Sequence, residues 1–219
     1  MKSKTFPFVN LDLWDDPYEN FLLNQEFKTA SGTYKSFKEI TRIFYGSCWT
    51  FNNNSDYSWR VYAPKKDGIQ VKARISKIKE HFLYLTNDKH CGSFQIGKVE
   101  YTRWKKLKEK YENKKKLGIF EILMNQTAFE KRFEYRHEKE IRLLIRYLDQ
   151  DSQILELKID PNFLFENVIV DPRISYNRFL KIKTEIKELG YKGRIYRSLL
   201  YTAPKINLQF YNIYDDQDS

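Results

Sequence analysis

The 219 residues are enough for one domain that buries its own core, so no disulfide or metal is needed to hold the chain together. With 41% hydrophobic residues and only 8 Gly and 6 Pro, the chain is neither disordered nor collagen-like, and no apolar run nears the ~18 residues of a membrane-crossing helix. The net charge of +10 is concentrated: residues 65–116 hold 16 basic and 6 acidic side chains and so carry all of it, which points to an anionic partner or to a lysine-rich solvated face.

The opening M-K-S-K-T-F-P-F has no apolar segment behind its lysines, which predicts a cytoplasmic protein. Residues 5–10 read as a first strand. Asp16 can cap a helix that starts at Pro17 and runs to about Thr29, ending near Ser31-Gly32. Residues 42–51, R-I-F-Y-G-S-C-W-T-F, read as a strand in which Gly46 marks a bulge or a close backbone approach. Three asparagines turn the chain, and Ser55-Asp56 cap a short helix containing Trp59, Arg60 and Tyr62, stopped by Pro64. After a Lys-Lys-Asp-Gly turn, residues 69–75 alternate as a half-buried strand. Strands are expected over 82–85 and 94–101, with the turn at 89–92 joining them as a hairpin.

Residues 104–116 carry Trp104, Leu107 and Tyr111 at helical spacing, one narrow apolar stripe on a helix whose outside is basic, Lys105, Lys106, Lys114 and Lys115 among it. Residues 117–132 read as a second helix. Asp149-Gln150-Asp151 turns the chain into a strand over 154–159, expected to pair antiparallel with the strand before it. A short buried strand over 168–170, a helix over 176–189 ended by Gly190, and strands over 195–201 and 206–211 follow. Residues 215–219 form an acidic, frayed tail. Strands with interspersed helices and no regular βαβ rhythm predict a single α+β domain, residues 1–219, with a mostly antiparallel central sheet and flanking helices.

The stretch that organises the rest is residues 133–145, F-E-Y-R-H-E-K-E-I-R-L-L-I. Strand side chains switch faces at every residue, so Ile141, Leu143 and Ile145 point to the core and Glu138, Glu140, Arg142 and Arg146 point away. Two carboxylates two positions apart on a strand are roughly 7 Å apart, close enough to act on one ligand. The same two residues also suit a solvated face, paired with Arg142, Arg146 or cross-strand lysines. His137 is expected on the opposite face from Glu138 and is a lesser candidate. Asp15, Asp16 and Glu19 either cap and stabilise a helix start or bind a metal alongside Glu138. Trp49, Trp59 and Tyr62 either pack in the core or stack a planar ring, and Arg60, flanked by aromatics, suits a forked contact to a phosphate or carboxylate.

Cys48 and Cys91 read as free thiols, and His90-Cys91 lacks the further ligands of a metal site, so none is expected. No G-x-x-x-x-G-K-[ST], G-x-S-x-G, H-E-x-x-H or EF-hand pattern is present, which argues against classical NTPases, serine hydrolases and zincins.

Separated patches resemble one bacterial family, the uncharacterised domain-of-unknown-function family 2971. They are W-D-D-P-Y-E-N at 14–20, Y-G-S-C-W-T at 45–50, S-D-Y-S-W-R-V-Y-A-P at 55–64 with G-I-Q-V at 68–71, and I-G-K-V-E-Y at 96–101. H-E-K-E-I-R at 137–142, V-D-P-R at 170–173 and S-L-L-Y-T-A-P at 198–204 complete the order, spanning nearly the whole chain. Family members usually carry a further strand before the W-D-D-P element; only thirteen residues precede Trp14 here, so that strand is expected to be short or missing.

The family brings no established activity, but its arrangement is similar to the ADP-ribosyltransferase fold, with an early Arg or His, a Ser/Thr/Tyr strand and a late Glu-x-Glu strand. The resemblance implies that Glu138-x-Glu140 is the third element and residues 45–50 the second, the first having no clear counterpart. It implies an NAD-dependent transferase of the toxin or phage-defence kind, acting on a nucleic-acid or protein acceptor. Glu140 would hold the ribose of NAD, Glu138 would activate the acceptor, and Tyr45, Trp49 and Arg60 would line the cofactor cleft. Lys105, Lys106, Lys114 and Lys115 would contact a nucleic acid. A non-enzymatic nucleic-acid-binding or complex-forming module and a metal-dependent nuclease are the alternatives.

Overall fold

In a computed structural model, described here for residues 3–14, 16, 18–19, 21, 25–28, 31–36, 41–112, 127–148 and 152–207, the acidic segment feeds one strand of a five-stranded antiparallel sheet. Its order is β10 (Ile154–Lys158), β1 (Thr5–Asn10), β4 (Phe44–Thr50), β9 (Glu140–Tyr147) and β6 (Cys91–Lys98). A smaller sheet orders β12 (Arg194–Arg197), β11 (Asn167–Val170) and β5 (Ile69–Lys72). Two short pairs, β2 (Glu26–Lys28) with β3 (Tyr34–Ser36) and β7 (Glu100–Thr102) with β8 (Glu130–Arg132), complete the strands among the described residues. Helices with both ends among the described residues are α1 (Asp56–Tyr62), α2 (Ile75–His81), α3 (Trp104–Glu112), α4 (Pro161–Leu164) and α5 (Tyr176–Glu188). The class is α+β, as the sequence predicts.

One core fills the space between the two sheets. Phe8, Tyr45, Leu143, Ile145, Leu155 and Leu157 face Val168, Val170 and Ile195, and α5 closes it with Phe179, Ile182 and Ile186. On the other face of the large sheet, Leu11, Phe44 and Leu144 meet Ala128, in the 3-10 turn Thr127–Phe129. The large sheet is therefore covered on both faces, and that decides the fate of its charged residues. Caps match the sequence where a side chain can reach back: Ser55 accepts from Ser58 N and Ser175 from Arg178 N. Gly190, at φ +90°, ends α5 in the left-handed conformation that glycine adopts without steric cost.

Several expectations are corrected. The strand over 154–159 does not pair with β9; β10 pairs with β1 from Thr5↔Lys158 to Val9↔Ile154, and β4 and β6 flank β9. The local turn suggested a hairpin, but β9 finds longer partners far away in sequence. The strand over 69–75 stops at Lys72, and Ile75 opens α2. Residues 82–85 are not a strand but part of the 3-10 turn Phe82–Asn87, which seats Phe82 and Leu85 in the core, so the hairpin at 89–92 is absent. A helix does not reach Thr29, since Tyr18, Glu19 and Phe21 lie in turns and β2 follows. The helix expected over 117–132 lies outside the described residues up to 126, and beyond them the chain is a 3-10 turn and then β8. Residues 208–219, with most of the last expected strand and the acidic tail, and Lys114 and Lys115 lie outside the described residues. At Gly46 the close approach is the one realised: a Cβ there would collide with the indole of Trp14, while the β4–β9 register runs through without a bulge.

Candidate active site

The segment before β9 is not extended. Phe133–Glu138 winds as a 3-10 turn, and Lys139 sits at φ 47°, ψ 51°, in the left-handed region, before the strand begins at Glu140. That reversal brings together two carboxylates that a regular strand would hold roughly 7 Å apart. Lys131 Nζ, on β8, donates to Glu138 Oε2 and to Glu140 Oε1, each at 2.6 Å, and lies 3.0 Å from Glu19 Oε1. Arg142 donates from Nε to Glu140 Oε2 (2.8 Å), from one terminal nitrogen to Glu19 Oε1 (2.7 Å) and from the other to the carbonyl of Ala128 (2.8 Å). Its guanidinium lies 4.5 Å from the ring centre of Trp14. Three carboxylates thus share two cations, and all five residues are buried or nearly so. Glu140 and Arg142 are not a solvated face, because the 127–129 turn and Trp14 cover them.

The proton affinities of the two glutamates move apart. Burial raises the Glu138 carboxyl, and its hydrogen bond with Glu140 adds to this against the pull of Lys131. Burial acts on Glu140 too, but Arg142, Glu138 and Lys131 outweigh it and bring that carboxyl down to about 2. Burial alone would lower the Lys131 ammonium; its bonds to Glu138 and Glu140 keep it firmly protonated.

This pair forms one wall of a cavity of about 350 Å³. The cavity exists because the sheet splits. β1 pairs with β4 only through Val9↔Gly46 and Asn10↔Tyr45, so beyond Gly46 the two strands diverge. Phe6 and Trp49, on the diverging arms, stack at 5.5 Å across the gap, and Trp59 and Tyr62 on α1 and Gln70 on β5 close the other side. Tyr62 lies over the mouth, 66% exposed, yet its hydroxyl donates to Glu138 Oε1 at 3.2 Å. Partial burial, and then the charge of Glu138, hold that phenol protonated. Cys48 also lines the cavity; it is solvent-accessible there, while the density of surrounding protein, ahead of the opposing charge of Arg142, raises its thiol above the ordinary value.

Of the residues singled out in the sequence, the cavity gathers Glu138, Glu140, Trp49, Trp59 and Tyr62. Tyr45 does not belong: it is fully buried in the main core, and its hydroxyl donates to the carbonyl of Ser152. Its β4 neighbour Gly46 is the last to pair with β1, so Tyr45 precedes the split. Arg60 does not belong either. It points outward on α1, pairs with Asp56 at 2.8 Å and donates to the Tyr201 hydroxyl. Glu19 does sit with Glu138, as one option for the acidic cluster held, but through Lys131 and Arg142 rather than a metal. Asp16 instead pairs with Arg132, and Asp15 lies outside the described residues. The V-D-P-R patch works from a distance. Arg173 bonds Asp171 and the carbonyls of Trp59 and Ala63, fixing the last turn of α1 and thereby the cavity's aromatic wall.

Sequence reasoning missed Lys131, the centre of the cluster, and the coverage of Arg142. One signal was present: Leu144 shares the Arg142 face and is apolar, which marks that face as covered too. No helix among the described residues is long and apolar enough to cross a membrane. Compared with family models, with curated proteins and with solved structures, the chain has no match.

Proposed function

We propose that the protein is a member of the family it resembles and uses this cavity for ADP-ribosyl transfer from NAD, as a cytoplasmic effector of the toxin or phage-defence kind. The observation that carries the reading is the Glu138–Glu140 pair, whose proton affinities are driven apart on one wall of an aromatic cavity. The cavity is at the small end of the ~300–1,000 Å³ typical of ligand sites. In this reading a planar ring and its sugar stack near Trp49 and Trp59, with the rest of the dinucleotide across the mouth.

NAD, when bound, supplies a ribosyl C–N bond that breaks with the electron pair leaving on nicotinamide and positive charge developing on the ribose. Both oxygens of Glu140 are engaged by Lys131 and Arg142, so Glu140 acts as a fixed negative charge rather than as a sugar ligand. Glu138 Oε1 accepts from the Tyr62 hydroxyl, and displacement of that phenol frees it for substrate. Its raised proton affinity suits it to take the proton of an attacking hydroxyl or amine. The role of sugar contact thus passes from Glu140 to Glu138. A divalent-metal nuclease is disfavoured, because Lys131 and Arg142 fill the space between the carboxylates. A non-enzymatic binding module is the second reading, favoured by the fact that both glutamates already have partners inside the protein.

The test is a titration with NAD that follows thermal stability and nicotinamide release. A rise in melting temperature with NAD, and release abolished by Glu138→Gln in a folded protein, is the expected result. No stabilisation and no release by the wild type at millimolar NAD would replace this reading with the binding module.

A further inference from the structure

We propose that the edge of the molecule beside Glu138 is a docking surface for single-stranded nucleic acid. Two strands of observation meet there, one of charge and one of exposed aromatic faces. Lys98, Arg103, Arg136 and Lys139 are all exposed, and none has a carboxylate partner among the described residues. Six other cations, Arg60, Arg74, Lys77, Lys110, Arg132 and Arg173, are each answered by an acid. Among the described residues the acids nearby include Glu134, exposed in the turn before Glu138, Glu100, which faces Lys110 at 3.5 Å, and Asp56 beside Tyr57, which pairs with Arg60. They leave the edge with a local excess of positive charge.

The cations lie against aromatic rings instead. Lys98 Nζ sits 5.5 Å from the ring centre of Phe51, and Arg103 and Arg136 approach Phe133 at 5.2 and 4.3 Å. His137 meets the ring of Tyr57 edge-on at 4.5 Å. Phe51 is 48% exposed and Tyr57 40%, so each shows part of its ring to solvent. Rings interleaved with cations are what an unpaired strand recognises, because phosphates need positive charge and unstacked bases need flat apolar partners. A duplex hides its base faces and would use the charge alone.

Location adds the third argument. Phe51 N donates to the Lys139 carbonyl, and Asn52 bridges to the carbonyls of His137 and Glu138, so the edge is tied to the turn that presents Glu138. α3 continues from Arg103 and adds exposed Lys105 and Lys106, the two described lysines expected to contact nucleic acid. As the identity of the acceptor this proposal rests on the transferase reading; as a binding surface it is tested without NAD.

Anisotropy of a labelled oligothymidylate of about 16 nucleotides, and of the matching duplex, measures it at low salt on the whole chain. The single strand is expected to bind more tightly, with an affinity that falls steeply as salt rises. Reversing Lys98, Arg103 and Arg136 to Glu should weaken binding at least about tenfold, and Phe51→Ala should cost about tenfold while leaving the salt slope in place. If the triple variant does not fold, Phe51→Ala decides. Absence of binding at low salt, equal affinity for duplex, or variants that bind like the wild type would each overturn the proposal. Intact strand binding with no nicotinamide release from NAD would leave this surface standing and remove the transferase reading.

Discussion

Arg142 and Arg173 are each held by a carboxylate two residues before them, Glu140 and Asp171, and each also donates to main-chain carbonyls. Beyond that the two arginines differ. Arg173 meets one acid, fully buried Asp171, in a balanced pair that clamps the end of α1. Arg142 shares Glu140 and Glu19 with Lys131, which also holds Glu138, so its cluster has one carboxylate more than it has cations and opens onto a cavity. A matched pair fixes geometry, whereas a surplus of like charge drives proton affinities apart and leaves one group reactive.

The largest expected effect comes from removing the cation on the unbalanced side. Arg142→Met leaves Glu19, Glu138 and Glu140 with Lys131 alone and should destabilise the fold by about 3–5 kcal/mol in denaturant titration. Arg173→Met is expected to cost less, since it strands a single acid; equal losses would show that charge balance is not what separates the two sites.

Next in size is the response to acid. The Glu140 carboxyl lies at about 2 in the fold against 4.5 as an ordinary glutamate, so its stabilisation is complete above pH 4.5 and drains away as pH falls toward 2. The loss is about 3 kcal/mol. Glu138 works in the opposite sense, since its raised proton affinity favours the fold as it protonates. A stability profile from pH 6 to pH 2, roughly the range over which carboxylates titrate, should therefore flatten at its acid limb in Glu140→Gln but not in Glu138→Gln. An unchanged limb in Glu140→Gln would place the acid sensitivity at Asp171, whose carboxyl is also held low, by Arg173 against the effect of burial.

How much of this was legible depends on the range over which each feature is decided. The alternation Ile141, Leu143, Ile145 is local and survives intact, as do the caps at Ser55 and the stop at Gly190. Pairing partners are decided by strands far apart in sequence, which is why β10 joins β1 although β9 is its nearest strand along the chain. The burial of Arg142 was illegible for a related reason: what covers it, Trp14, Glu19 and Ala128, comes from two distant segments. Tyr45 and Trp49 share one face of one strand, yet one is core and the other lines the cavity, because the split from β1 falls between them. No pattern of residue types marks where two strands part.

The smallest expected effect is at Arg60. Its pair with Asp56 is solvent-exposed, so Arg60→Ala should leave the melting temperature and any response to NAD where they were. A changed response to NAD would return Arg60 to the cavity.

Lys139 carries a demand that its side chain does not reveal. Its side chain is exposed, so many substitutions there would look harmless, but its backbone is bent the left-handed way, which L-residues occupy at a penalty. Sequence drift at this position is thus filtered by shape rather than by chemistry. Glycine and asparagine are admissible replacements, while valine, isoleucine and threonine would straighten the hinge and swing the two glutamates out of register.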